Sequence, residues 1–290
     1  MPNTIALAKN YTSILDEVYM NASVTADLTS DSSMVKAGAN ANEIVYPQIS
    51  VSGLGDYSRN SGYTEGSVNL EWKTAQFNYD RGTKISVDVM DNEESRDIAF
   101  TMAGSELMRT KVAPEADAFT FATLAGIEGI SKAPAVTYAD ATAFLAGLIE
   151  GKNKMDEDEV PEEGRILYAT PSLLNGVMAL DTTKSREVLA SFSAIKKVPQ
   201  SRFYTAIDLL SGKDGEEAGH YKKAAAGKDI NFMIVHKPAV VKFDKHTASP
   251  IIPADMNPDA DSDISKYRKY GIVDVFKNKV AGIYLSHKEK

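Results

Sequence analysis

The sequence predicts an α+β protein, and three observations carry this prediction. Apolar side chains recur near the 3.6-residue period from Asp91 to Gly126, which predicts an unusually long helix. Alternating apolar and polar residues predict two strands, one over Glu43–Val51 and one that begins at Val68. Farther along, the buried-strand pattern RILYA at Arg165–Ala169 leads through Thr170 and Pro171 into an amphipathic helix. This last unit predicts a compact α+β domain.

Composition limits the classes of protein to consider. The chain has 290 residues, of which 43% are hydrophobic and 25% charged, so it can bury a substantial core in one large domain or two smaller ones. The net charge of −8 argues against a dedicated nucleic-acid binder. With no cysteine, disulfides, cysteine nucleophiles and thiolate metal sites are excluded. Neither a signal-peptide pattern nor a membrane-spanning apolar run is visible, so we expect a protein made and folded in a cytosol.

Residues 1–42 are predicted to form an arm. An amphipathic turn at Tyr11–Met20 is followed by the tract Ser30–Asn42, which is rich in Ser, Ala, Gly and Asn. This tract has too few apolar side chains for a core of its own. We interpret the segment as packing on something else, and a frayed terminus is the alternative.

A long projecting β-hairpin is predicted next. Pro47 suits an edge position in the first strand, and the glycine-rich stretch Ser52–Ser67 has no hydrophobic period. In the second strand, Phe77 and Tyr79 continue on the parity opposite to that of Trp72, which predicts a bulge or twist.

Trp72 is expected to be buried, and on a projecting hairpin its burial requires a neighbouring subunit. Our hypothesis is therefore an intersubunit contact formed by Trp72, Phe77 and Tyr79.

The long helix is expected to follow directly on a short strand at Lys84–Met90. Asp91 is suited to cap its start, with Glu94 reaching back to the cap. Pro114 predicts a kink or a break, because it lacks an N–H and crowds the carbonyl four residues before it.

The second half of the chain is predicted to alternate helices and strands with polar loops. The helix Tyr138–Glu150 would be capped by Thr137 and closed by the acidic loop Met155–Gly164. The other predicted elements are a surface loop or hairpin tip at Ser211–Asp229, strands Ile230–Val235 and Ala239–Phe243, an extended loop at Ser249–Ser265, and a closing hairpin of Ile272–Phe276 and Val280–Leu285.

No motif points to a reaction, so we predict no catalytic residue, no cofactor and no metal site. Gly147–Asn153 departs from a phosphate loop in its glycine spacing and its final residue, and a glycine near a helix end explains it better. The alternating aspartates between Asp255 and Asp263 lack the glycine and glutamate of an EF-hand. The four histidines are scattered, and hydrogen-bonded structural histidines are the default interpretation.

The order of the parts resembles the major capsid proteins of tailed bacteriophages, which share the Hong Kong 97-like fold. The resemblance covers nearly the whole chain and is closest to capsid proteins of phages and prophages of Gram-positive bacteria. The segments that carry it are NYTSILDEVY (Asn10–Tyr19), ISVDVMDNEESRDIAF (Ile85–Phe100), GRILYATPSLLN (Gly164–Asn175), FMIVHKPAVV (Phe232–Val241) and YRKYGIVDVFKNKVAGIYL (Tyr267–Leu285).

The resemblance implies a division of the chain into named parts. These are an N-terminal arm (1–42), an extended β-hairpin called the E-loop (43–83), a P-domain with the long spine helix (84–134), an α+β A-domain (135–229), P-domain return strands and loop (230–265), and a C-terminal hairpin that completes the A-domain (266–290).

The resemblance also implies the partners. Copies would join as pentamers and hexamers into an icosahedral phage head, assembled in the host cytoplasm, that encloses double-stranded DNA without sequence-specific binding. A portal protein, an optional decoration protein and no membrane are expected. Because the chain starts almost directly at the arm, we also expect a separate scaffolding protein. Some relatives crosslink a hairpin lysine to an asparagine, but no acidic catalyst matches Lys73 or Lys84, so crosslinking is not predicted.

Two alternatives remain open at the level of sequence. One is an encapsulin-like cellular compartment, which has the same fold but encloses a cargo enzyme. The other is a soluble cytosolic enzyme with an unrecognised site.

Overall fold

The computed structural model describes residues 18, 22–30, 36–37, 43–60, 62–94, 98–213 and 220–289. Most of the amphipathic turn predicted at Tyr11–Met20 and most of the tract Ser30–Asn42 lie outside these residues. Within them, the strands are β1 Lys36–Ala37, β2 Glu43–Val51, β3 Val68–Gln76, β4 Tyr79–Asp88, β5 Ser131–Lys132, β6 Arg165–Ala169, β7 Ala194–Lys197, β8 Ile207–Leu210, β9 His220–Lys223, β10 Ile230–His236, β11 Val240–Ala248, β12 Ile251–Ile252, β13 Ser262–Val275 and β14 Ile283–His287. The α-helices are α1 Val89–Glu94, α2 Ile98–Leu107, α3 Ala113–Gly126, α4 Ala141–Glu157, α5 Pro171–Leu180 and α6 Thr183–Ala190.

A five-stranded sheet in the order β5-β14-β10-β6-β7 forms the larger core. Its central strand β10 is buried at every position, because both faces of the sheet are covered. Phe232 and Ile234 point to the side where α4 and α5 pack. Met233 and Val235 belong to the opposite cluster, which also holds Phe121 of α3. The helix pair and the last turns of the long helix therefore enclose this sheet from both sides.

A second sheet lies along the long helix, with β13 pairing β4, β11 and β12. Strand β4 pairs β13 over its whole length, from Tyr79 opposite Gly271 to Asp88 opposite Ser262. Arg81 of β4 joins this sheet to α3 through Glu115, with Nε to Oε1 at 2.6 Å and Nη2 to Oε2 at 3.2 Å. The helix and the sheet thus share a largely buried, bidentate ion pair.

The predicted interruption of the long helix near Pro114 is confirmed. One wider turn, a π-helix at Met108–Val112, separates α2 from α3, and Pro114 lies in the first turn of α3. A wider turn relieves the crowding of the proline ring against the preceding carbonyl. The predicted cap at Asp91 is wrong: α1 begins at Val89, and the Asp88 carboxylate accepts the Met90 N–H at 2.9 Å.

The predicted strand that bends through Phe77 is also wrong. Strand β3 ends at Gln76, and Tyr79 begins β4, which belongs to the second sheet and extends back from the predicted start at Lys84. The change of parity marks a change of sheet, because Phe77 and Asn78 carry the chain from the hairpin to the pairing with β13.

The predicted C-terminal hairpin of Ile272–Phe276 and Val280–Leu285 is wrong as well. Strand β13 lies in the four-stranded sheet and β14 in the five-stranded one, joined by a 3-10 segment at Lys277–Gly282. The predicted return strand at Ile230–Val235 likewise lies in the five-stranded sheet, between β14 and β6. Each strand pairs with a partner distant in sequence, so local turn signals did not determine its sheet.

The alanine-rich helix was predicted correctly in kind but with other boundaries. The alanine-rich helix begins at Ala141 and runs to Glu157, and its cap is Asp140, which accepts the Ala143 N–H at 2.7 Å. Thr137 is therefore not the cap. The strand RILYA and the helix that begins at Pro171 are confirmed.

Candidate functional site

The hairpin formed by β2 and β3 is the most exposed part of the described chain. Its strands are antiparallel, with Val51 opposite Val68, Ile49 opposite Leu70 and Pro47 opposite Trp72. Because side chains alternate between the two faces of a strand pair, these six residues share one face. The hairpin therefore has one continuous apolar face, which we call the apolar stripe: Pro47, Ile49, Val51, Val68, Leu70 and Trp72.

The other face of the hairpin differs between its base and its outer part. Near the base, Ile44, Tyr46 and Ala75 are buried against Val241 and Ile272 of the second sheet. Farther out, the same face carries polar side chains, namely Gln48, Ser50, Asn69, Glu71 and Lys73. The hairpin is thus anchored by one face, and its outer part is amphipathic.

The anchor fixes the direction in which the hairpin leaves the body. The ring of Tyr46 packs edge-on against Phe276, with centroids 4.9 Å apart. At the crossing between β3 and β4, Asn78 donates from Nδ2 to the Val273 carbonyl at 2.8 Å and accepts the Val273 N–H at 3.1 Å. The amide side chain of Asn78 therefore takes the place of one step of strand pairing.

The residues that the structure describes leave the apolar stripe largely exposed. Ile49 is 59% exposed, Leu70 53% and Trp72 47%. The tip adds Leu54, which is fully exposed, and the pair Tyr57 and Tyr63, whose ring centroids are 4.9 Å apart. Contiguous apolar patches of this kind are uncommon on monomeric proteins and mark surfaces that contact another molecule.

The three residues of the predicted contact lie in different environments. Trp72 is half-exposed on the apolar stripe, so the residues that the structure describes bury it only in part. Phe77 is partly buried at the hairpin base, with its ring 4.7 Å from Tyr270. Tyr79 is buried, packs on Phe119 and donates to Glu115 at 3.3 Å. The intersubunit contact stays a prediction for all three residues; Trp72 is the most exposed of them, and Tyr79 is covered by Phe119 and Glu115 of its own chain.

The β2 half of the apolar stripe was missed at the level of sequence. Ile49 and Val51 occupy alternate positions of EIVYPQISV, but their face can be assigned only once the register with β3 is known.

A second feature, a buried polar cluster, ties the segment 22–30 to the body. We call it the Asp117 cluster: Ser23, Thr25, Asp117, Arg202 and Lys242. Asp117 of α3 is fully buried, and its carboxylate accepts hydrogen bonds from the Ser23 and Thr25 hydroxyls, both at 2.7 Å. The backbone N–H groups of Val24 and Thr25 and Nη1 of Arg202 donate to it at 3.1 Å.

Lys242 completes the Asp117 cluster from β11. Its Nζ donates to the Thr25 carbonyl at 2.9 Å and to the Thr25 hydroxyl at 2.8 Å. Its backbone carbonyl accepts the Ser30 N–H at 2.8 Å. The cluster therefore connects the N-terminal segment to both the long helix and the second sheet.

The pH dependence of folding tests this arrangement. Burial, reinforced by the nearby charge of Lys269, lowers the pKa of Lys242 to about 8. The unfolded chain keeps its proton up to the ordinary lysine pKa, so between these values the unfolded state binds more protons and stability rises with pH. We expect the free energy of unfolding of the native chain to gain about 2 kcal/mol from pH 8 to pH 10 relative to Lys242→Met. Urea denaturation across this range checks it, and a pH-independent difference between the two chains would contradict it.

Within the described ranges, no group of three or more His, Asp or Glu side chains is placed to hold a metal ion. Burial lowers the pKa of His236, and the nearby Lys279 lowers it further. None of the helices described is both long and apolar enough to cross a membrane.

Comparison with known proteins places the fold. No family model matches the chain, and no curated protein matches it. Solved structures do match, at low identity. The chain is similar to a structure of Mycobacterium phage Che8, with 13% identity, a TM-score of 0.59, and coverage of 91% of this chain and 90% of that one. The capsid structure of the cyanophage P-SCSP1u matches with 14% identity, a TM-score of 0.61, and coverage of 93% and 89%.

A third match comes from an archaeon. The crystal structure of a virus-like particle from Pyrococcus furiosus shares 10% identity and a TM-score of 0.59, with coverage of 97% of this chain and 99% of that one. These likenesses extend over nearly the whole length of each chain, so they concern the fold of the chain as a whole. The chain therefore has the fold of bacteriophage capsid proteins, as its resemblance to the Hong Kong 97-like major capsid proteins predicted.

Proposed function

We propose that this chain is the major capsid protein of a tailed bacteriophage and that it assembles, as pentamers and hexamers, into an icosahedral shell around double-stranded DNA. The observation that carries the proposal is the apolar stripe. It is exposed, although the two largest sheets of the described residues have cores of their own, and this supports a cover supplied by another molecule.

The size of the apolar stripe suits a contact between copies. Five of its side chains are about half-exposed or more, which leaves on the order of 400 Å² of apolar surface in water. A standard interface buries about 800 Å² on each partner. The hairpin alone would thus supply roughly half of one side of a stable interface, and the rest would come from the body.

The proposed role is structural rather than catalytic. The acidic net charge of −8 suits a wall that encloses DNA without gripping it. Assembly would take place in the host cytoplasm with a scaffolding protein and a portal protein, and an optional decoration protein would join the finished virion.

Electron microscopy and sedimentation of the purified chain test this proposal. We expect closed particles when the chain is produced with a scaffolding partner, and smaller rings or particles without it. A chain that remains a monomer in both preparations, at concentrations where capsid proteins assemble, would contradict the proposal.

The match to the Pyrococcus particle favours a second candidate, an encapsulin-like cellular compartment. The contents of purified shells separate the two. Double-stranded DNA inside the particles supports the phage head, whereas an enclosed protein supports the compartment.

A further inference from the structure

The outer face of the second sheet carries an unbalanced positive charge. Lys84 of β4 lies directly opposite Lys266 of β13, and Arg268 lies opposite Gly82 two positions along. Alternate residues share a face, so these three cations lie on the same side of the sheet. Arg81, on the opposite side, reaches Glu115 of the long helix. The side that holds Lys84, Lys266 and Arg268, which we call the basic strip, therefore faces away from the helix.

The basic strip is only partly neutralised within the chain. Arg268 is held by Asp80, with Nε to Oδ1 at 2.9 Å and Nη2 to Oδ2 at 2.7 Å. Lys84 and Lys266 are exposed, and neither forms an ion pair with any residue the structure describes. Like charges directly opposite each other across a strand pair are destabilising. The two lysines thus repel each other unless an anionic group lies between them.

The end of the same strand pair has the opposite charge. Asp88 closes β4, and the loop before β13 carries Asp255, Asp259 and Asp261, all of them exposed. This loop is fixed to the start of α1, because the Val89 N–H donates to the Asp261 carbonyl at 3.1 Å. We call these four aspartates the acidic tip. In the part of the chain that the structure describes, none of them forms an ion pair.

The basic strip and the acidic tip cannot neutralise each other inside one chain. Lys84 precedes Asp88 by four strand residues, which corresponds to about 13 Å at 3.3 Å per residue. At physiological ionic strength the Debye length is about 8 Å, so exposed charges at this separation are largely screened from each other. Among the described residues, each patch therefore keeps its charge available to another molecule.

We propose that the acidic tip of one copy docks on the basic strip of a second copy. This inference rests on the proposed function and names one contact within the assembly. Charge complementarity identifies the partner as a second copy of this chain. Each copy has an exposed acidic tip at the end of the β4–β13 strand pair that carries the basic strip. A contact between two different patches is heterologous, and heterologous contacts close into rings when the rotation between copies permits. Opposite charges would also steer copies together and fix their orientation.

Paired charge reversals test the contact. One chain carries Lys84→Glu and Lys266→Glu, and a second carries Asp255→Lys and Asp259→Lys. Each alone places like charges across the contact, so we expect the concentration needed for association to rise at least tenfold for either chain, because such juxtaposition costs several kcal/mol. In an equimolar mixture every contact between the two chains regains opposite charges, so association should return to near the native level.

The controls separate the contact from folding and from net charge. Lys184→Glu with Lys222→Glu changes the net charge as much as the strip variant does, at exposed lysines elsewhere, and should associate like the native chain. Circular dichroism melting of every chain checks that it folds. Association is followed by sedimentation velocity at low and high salt, and the native contact should weaken as salt rises.

Three outcomes would overturn the inference. They are reversal variants that associate like the native chain, a mixture that regains nothing, or a strip variant that loses binding to a DNA fragment while its self-association is unchanged. The test does not depend on closed particles. If the native chain forms none, the proposed function fails, but recovery in the mixture still supports the docking contact and its absence still overturns it.

Discussion

Trp72→Ala is expected to raise the concentration needed for assembly by roughly 30-fold while leaving the fold intact. The indole ring is 47% exposed in the single chain, so on the order of 100 Å² of its surface remains to be buried in a contact. Alanine keeps a small part of this surface, so at about 25 cal/mol per Å² the net loss is about 2 kcal/mol per copy. Since every copy contributes the same contact, the loss acts at each position in the shell. Light scattering against protein concentration measures it.

The matched control for Trp72 lies on the same strand. Asn69→Ala changes the polar face of the hairpin and should leave the assembly threshold near its native value. Urea denaturation of unassembled Trp72→Ala should give a free energy of unfolding within about 0.5 kcal/mol of the native chain, as for other surface substitutions. Normal assembly of Trp72→Ala, with shells as resistant to denaturant as native ones, would count against the hairpin contact.

Asp117→Asn should destabilise the folded chain by about 3 kcal/mol. The substitution keeps the size of the side chain but removes the charge that pairs with Arg202, and breaking a buried charge pair costs about 3–5 kcal/mol. The segment 22–30 should also become more susceptible to limited proteolysis, because its hydroxyl and N–H donors lose a carboxylate. Urea denaturation and protease digestion of the same samples provide the two measurements.

Asp181→Asn serves as the control for Asp117→Asn. Its carboxylate is largely exposed and pairs with Arg186 on the surface, so the same chemical change there should cost less than about 1 kcal/mol. If Asp117→Asn lowers the free energy of unfolding as little as this control does, the Asp117 cluster does not hold the N-terminal segment in place.

Local sequence patterns predicted where strands and helices lie better than which strands pair with each other. The hairpin strands and the strand-Thr-Pro-helix unit depend on alternation and turn chemistry within a few residues, and both were found where they were predicted. The C-terminal strands also exist, but β14 pairs β10 about fifty residues earlier in the chain, and no turn residue near Lys279 encodes that choice. Sheet membership is set by packing, which a single sequence does not display.

The apolar stripe and the Asp117 cluster show the same limit. The β3 half of the apolar stripe, including Trp72, was visible as alternation, whereas the β2 half needed the register. The sequence around Asp117 has the pattern of an ordinary helix and gives no sign that this carboxylate is buried. Its burial follows from the segment 22–30 folding over it, a contact between residues more than ninety positions apart.

The exposed hairpin has a consequence for newly made subunits. In the proposed assembly, the apolar hairpin of each subunit stays exposed until neighbouring subunits cover it. Two such hairpins can associate in an incorrect orientation as readily as in the correct one. Pro47 and the Glu71–Lys73 pair on the same two strands discourage such off-pathway fibres, since proline and charge impair edge-to-edge pairing. How fast subunits are synthesised relative to how fast they are captured would then decide whether they yield closed particles or precipitate.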